Sequence, residues 1–221
     1  MTAITPTSAP TSASGRPQTL LEIAGASPRP AGLAEAVLVI VDAQVEYVSG
    51  RLPLAGIEAA VAETARLLSA ARAAGTPVIH IVQHTAPGRP IFDPETRFAQ
   101  IVPELTPVAG EEVIVKRLPN SFAGTPLAER LAAIAAATGR KSMLLAGFMT
   151  HMCVSATARA ALDLGIPVTV VAGATATRDL PSPLGGVIPA QTVHETALAE
   201  LADRFATVVA DTQALAVPAG A

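Results

Sequence analysis

An alternation dominates this chain. From residue 36 onward, apolar runs of strand length are separated by longer segments with helical period. The strand candidates are VLVIV (37–41), PVIHIV (77–82), EVIVK (112–116), SMLLAG (142–147), PVTVVA (167–172) and ATVVA (206–210). Helix candidates lie near 56–74, 125–137, 152–164 and 190–203. Three of the strands follow a helix that ends in glycine: AAGTPVIHIV, ATGRKSMLLAG and DLGIPVTVVA. Glycine takes the left-handed conformation that closes a helix, and a proline just beyond stops it from continuing. Continuous β-branched runs between helices predict strands buried on both faces, hence a mostly parallel sheet between helical layers. The expected fold class is α/β, a three-layer α/β/α domain with six strands.

The length of 221 residues suits one domain of this kind. Residues 1–33 are rich in Thr, Ser, Pro, Ala and Gly and read as a low-complexity N-terminal tail, with the domain spanning 34–221. Within the tail, the apolar patch Leu20, Leu21 and Ile23 could dock on the domain or on a neighbouring subunit. The segment 83–111 carries five prolines and little periodicity, and RDLPSPLGG (178–186) is a second such stretch. Loops this long inside a compact domain usually serve function or an interface.

Several functions are argued against. A formal net charge of −3 and an aromatic content of 3% give neither the electrostatic pull nor the stacking platforms of a nucleic-acid binder. No apolar run reaches the roughly 20 residues of a membrane span. No basic start precedes an apolar stretch, so a cytoplasmic location is expected. With one cysteine, Cys153, neither an intramolecular disulfide nor a multi-thiolate metal site can form.

In open parallel sheets, ligands bind beyond the carboxyl ends of the strands. Asp42 ends the first strand, Lys116 ends the third, and Cys153 opens the helix after the fourth. Singly, each has an ordinary explanation: a loop or capping carboxylate, a lysine reaching water, a small buried hydrophobe. Jointly, they supply a nucleophile, a base and a counter-charge. The positive end of a helix beside Cys153 is expected to favour its thiolate.

The segments VLVIVDAQVEYV around Asp42, VIVKRLPNSFAGT around Lys116 and AGFMTHMCVSATARAA around Cys153 resemble the isochorismatase-like superfamily of cysteine hydrolases. That superfamily includes nicotinamidases and N-carbamoylsarcosine amidohydrolases, and the resemblance covers roughly residues 36–210. It implies a Rossmann-like sheet and a catalytic triad of Asp42, Lys116 and Cys153. It further implies an oxyanion hole from the backbone N–H groups of Met149 and Cys153, with a cis peptide at Phe148–Met149. Substrate contacts are expected from Gln44, which could instead orient the loop, from Tyr47, where the family commonly has Phe, and from Asn120 and Phe122. Ordinary turn chemistry explains the residues after Lys116 equally well. His84 and His151 are further candidates, His151 being equally explained as a turn residue.

Nicotinamidases carry an Asp-x-His metal motif that this sequence lacks. HIVQHTAPGRPIFDP stands in its place, and no third ligand joins His80 and His84. The expected protein therefore uses no metal or cofactor. It cleaves a C–N bond in a small amide, lactam or ureido compound through a cysteine thioester. Its only expected partners are that small molecule and further copies of itself, as a dimer or tetramer. The alternatives are a vinyl-ether hydrolase of isochorismatase type, whose relatives lack the nucleophilic cysteine, and a non-catalytic binding protein on the same fold.

Overall fold

A computed structural model describes residues 15–215. The expected elements form nearly at their expected bounds: β1 (Ala36–Val41), β2 (Val78–Gln83), β3 (Glu112–Lys116), β4 (Ser142–Phe148) and β5 (Val168–Ala176). Short strands β6 (Leu180–Pro181) and β7 (Val187–Ile188) form a separate hairpin, and β8 (Thr207–Val209) completes the main sheet. The helices are α1 (Leu20–Ile23), α2 (Glu46–Ser49), α3 (Ile57–Ala73), α4 (Leu127–Thr138), α5 (Ser155–Asp163) and α6 (Ala190–Glu200). All five pairings in the six-stranded sheet are parallel, in the order β3-β2-β1-β4-β5-β8.

Successive β1 side chains point to opposite faces. Leu38 and Ile40 join Leu67, Leu68 and Ala71 of α3 in one core cluster. Val37, Val39 and Val41 join Leu127 and Leu131 of α4 and Ala158 of α5 in the other. The connection from β2 to β3 has no α-helix. The segment read from the sequence as a long loop contains two 3₁₀ turns, Arg97–Ala99 and Pro103–Leu105, and buries Phe92, Val102 and Leu105 in the α3-side core.

The expectation of burial on both faces fails at β3. Val113 and Val115 remain 46% and 45% exposed, because β3 is an edge strand with only one covered face. The chain before the domain is fastened to it at separate points. Thr19 and Glu22 form a capping box on α1, the Leu20 N–H donates to Asp203, and the Ala31 N–H donates to buried Thr169. The first part of the expected tail, residues 1–14, lies outside the described residues.

Candidate active site

β1 and β4 are the central neighbours from which the chain winds outward in both directions, so the loops leaving their carboxyl ends part there. Gly147 stands opposite Val41 at φ +108°, and a Cβ there would meet the Val41 carbonyl oxygen at 2.0 Å. Only glycine lets β4 run this close to the segment that delivers Asp42. Asp42 itself has φ 51°, a conformation that Asp tolerates better than most side chains. Beyond β4 the Phe148–Met149 peptide is cis, and a π-helical turn, Thr150–Val154, leads into α5.

The three residues expected to act jointly converge here. Lys116 Nζ lies 2.7 Å from Asp42 Oδ2 and 3.3 Å from Cys153 Sγ, and both Asp42 and Lys116 are wholly buried. Lys116 reaches the site by passing Gln83, its register partner on β2, and donates to Gln83 Oε1 at 2.7 Å. Its approach to Asp42 is close but off-axis, and neither carboxylate oxygen accepts a well-directed hydrogen bond from the described residues. Burial therefore raises the Asp42 pKa, against the lowering effect of Lys116.

The expected thiolate is not what the surroundings favour. Burial, and then the Asp42 charge, push the Cys153 thiol up to about 12, outweighing Lys116. Cys153 lies inside the wide turn and is buried, so the start of α5 does not dominate its environment. These surroundings favour the protonated thiol, with the Asp42 carboxylate beside it.

Met149 and Cys153 bracket the turn. The Met152 and Val154 N–H groups donate to the Met149 carbonyl at its start, and the Ser155 N–H donates to the Thr150 and Met152 carbonyls at its end. Tyr47 wedges between Phe92 and Phe148, edge-on, with ring centroids 5.3 and 5.9 Å away. Burial first, then the charge of Asp42, raises the Tyr47 pKa well above its ordinary 10, so its hydroxyl stays protonated.

The other expected contacts separate. Gln44 is wholly buried and spends its amide on backbone, donating to Gln83 O and Ala99 O and accepting from the Gln83 N–H. It orients the loop and has nothing left for a substrate, which corrects its expected role as a contact. His84 lies past the end of β2 and lines an outer groove of about 450 Å³ with Val82, Val113 and Val115, a lining that includes none of the three converging residues. This argues against its assignment to the substrate. Asn120 Oδ1 accepts from the Phe122 N–H, a local turn, while Phe122 packs against the cluster containing Cys153. His151 Nδ1 meets Thr177 Oγ1 at 2.6 Å. His80 turns away to Glu111, and no group of three potential metal ligands occurs among the described residues.

Sequence reasoning missed Gln83 and Arg178. Gln83, like Asp42 and Lys116, lies at a strand's carboxyl end, and that signal was available. Arg178, just past β5, has its Nε buried without a partner among the described residues, and its charge acts on both Tyr47 and His151.

Residues 36–213 match the isochorismatase domain model. The chain belongs to the isochorismatase family. It is 44% identical over 185 residues to the secreted isochorismatase effector Isc1 of Verticillium dahliae, covering 84% of this chain and 93% of that protein. The crystal structure of an isochorismatase from Pseudomonas putida superposes with a TM-score of 0.83 at 44% identity, covering 88% of this chain and 97% of that one. N-carbamoylsarcosine amidase from Thermoplasma acidophilum superposes with a TM-score of 0.66 at 25% identity, covering 80% and 96%. Family membership makes the chain an isochorismatase-family hydrolase, on the α/β fold expected from its strands.

Proposed function

We propose that this hydrolase is a thiol amidohydrolase cleaving a C–N bond in a small amide, lactam or ureido compound. The observation that carries the reading is the convergence of Cys153, Asp42 and Lys116 in one buried cluster. Asp42 takes the Cys153 proton as Sγ attacks the carbonyl carbon. The oxyanion forms opposite the Met149 and Cys153 N–H groups, two donors worth about 2.7–4 kcal/mol each in such a role. Collapse of the tetrahedral intermediate breaks the C–N bond, and Asp42 returns the proton to the departing amine. Water, deprotonated by Asp42, then hydrolyses the thioester and restores the thiol. Lys116 keeps Asp42 in the ionised form that the first step needs. The Arg178 Nε, unpartnered among the described residues, and the Tyr47 hydroxyl are donors suited to a substrate rich in acceptors. Similarity to an amidase supports the same bond type.

The test is an ammonia-release screen over small primary amides and ureides, with lactam ring opening followed by mass spectrometry, and the Cys153→Ala protein as blank in both. Release by the wild type alone is expected. Isochorismate turnover that survives Cys153→Ala would instead identify vinyl-ether chemistry.

A further inference from the structure

Thr150 and His151 lie between the two proposed oxyanion donors, and each is held from outside by an imidazole–hydroxyl bond. Thr150 is wholly buried, with Oγ1 3.0 Å from Nδ1 of His194 on α6. His151 Nδ1 meets Thr177 Oγ1, just past β5, at 2.6 Å. Burial lowers the pKa of both imidazoles, keeping them neutral near pH 7. The turn needs such supports. It is π-helical, and its closing bonds are shared: the Met152 and Val154 N–H groups both donate to the Met149 carbonyl, and the Ser155 N–H divides between the Thr150 and Met152 carbonyls. Its orientation relative to Asp42 then depends on what grips its side chains.

We propose that His194 is a positioning residue for the reaction, holding the Met149–Cys153 turn through Thr150 so that both N–H groups face the developing oxyanion. This rests on the amidohydrolase reading above. Neither family resemblance nor strand-end logic points to His194, because it sits on a helix and acts through a hydroxyl. Its ring also lines an open cavity of about 290 Å³, together with Thr177, Gln191, Ala59 and Ala190. Removing the imidazole therefore leaves a space that a free imidazole can enter from solvent.

The experiment uses the full chain and an amide substrate from the screen. His194→Ala should lower kcat by about 10–100-fold with KM changed less than about threefold, the signature of misaimed transition-state donors. Alkylation of Cys153 by iodoacetamide should stay within about twofold of wild type, since it reads proton removal by Asp42 and bypasses the oxyanion. Added imidazole should restore most of the lost kcat. Thr150→Val deletes the same bond from the other side and should show the same loss without imidazole rescue, while Thr150→Ser restores activity. The double variant should be no worse than either single, as expected for two partners in one bond. Wild-type kcat in His194→Ala, or a loss that imidazole does not restore, overturns the proposal. If His194→Ala fails to fold, Thr150→Val decides, and wild-type kcat there overturns it. Turnover surviving in Cys153→Ala is a different result, which removes the amidohydrolase reading itself.

Discussion

Between α3 and the β2–β3 pair, Arg72, His80 and Glu111 form a charge cluster in which both Glu111 carboxylate oxygens receive donors. Arg72 grips Glu111 with two bonds of 2.7 and 2.8 Å, the Val108 N–H adds a third, and His80 Nε2 adds a fourth. Glu111 is held down to about 2, with Arg72 the largest cause. At the carboxyl end of the same sheet, Asp42 also has a cation 2.7 Å away, yet its pKa moves up. A nearby cation therefore does not by itself set the direction. The first carboxylate receives directed donors and keeps some solvent, while the second is fully desolvated, and neither of its oxygens has a directed partner among the described residues. The Glu111 cluster is arranged to stay ionised and hold elements together. The Asp42 cluster suits the proton exchange proposed above.

Breaking each cluster should have opposite consequences. Replacing Asp42 and Lys116 together (Asp42→Asn with Lys116→Met) should lower amide turnover by about 10³-fold or more, while the melting temperature stays level or rises. Both singles should be less stable than the double, because each leaves a buried group without its partner. Calorimetry and steady-state rates on the three proteins check this. Glu111→Gln should do the reverse, costing about 2 kcal/mol, or roughly 4–8 °C in melting temperature, with turnover within about threefold of wild type.

Acid should separate the clusters further. The folded-state pKa of Glu111 lies below its ordinary 4.5, so its contribution is present above 4.5 and is lost as pH falls toward about 2. His80 is also lowered, by burial, so folding favours its neutral form and stability drops as pH falls below its ordinary 6.5. Asp42 is raised, which gives the opposite sign: its ionised form costs folding energy, and that cost fades as pH falls through its raised pKa. Melting curves from pH 7 to 3 should therefore fall less steeply in Glu111→Gln than in wild type. The acid limb of activity should lie above the ordinary Asp value of 3.8. The smallest effect is expected from Tyr47→Phe, which removes one hydroxyl and leaves the edge-on packing against Phe92 and Phe148 in place. Its kcat/KM should drop about 3–10-fold with an unchanged melting temperature.

The two clusters were unequally legible in the sequence. Continuous apolar runs of strand length and segments of helical period located all six strands of the main sheet and the four long helices, because burial of apolar faces decides both. Strand-end logic and the family resemblance brought out Asp42, Lys116 and Cys153. The edge position of β3 was not readable, since Val113 and Val115 carry the same side chains as a central strand would. The Glu111 cluster stayed hidden because its members lie in three separate segments with no motif. Protonation of Cys153 was misjudged for a physical reason: a helix start is visible in sequence, whereas the burial that outweighs it appears only in three dimensions. Gln44 and His84 show the same limit, since a side chain's direction at a loop depends on the backbone around it.

In the proposed reaction Cys153 is the group that carries the acyl fragment. Acid quenching during turnover of an amide found by the screen, followed by intact-mass and peptide mapping, reads this directly. The predicted result is a covalent adduct of the acyl fragment's mass on Cys153, absent in Cys153→Ala, which also releases no ammonia. Turnover by Cys153→Ala at the wild-type rate would contradict it.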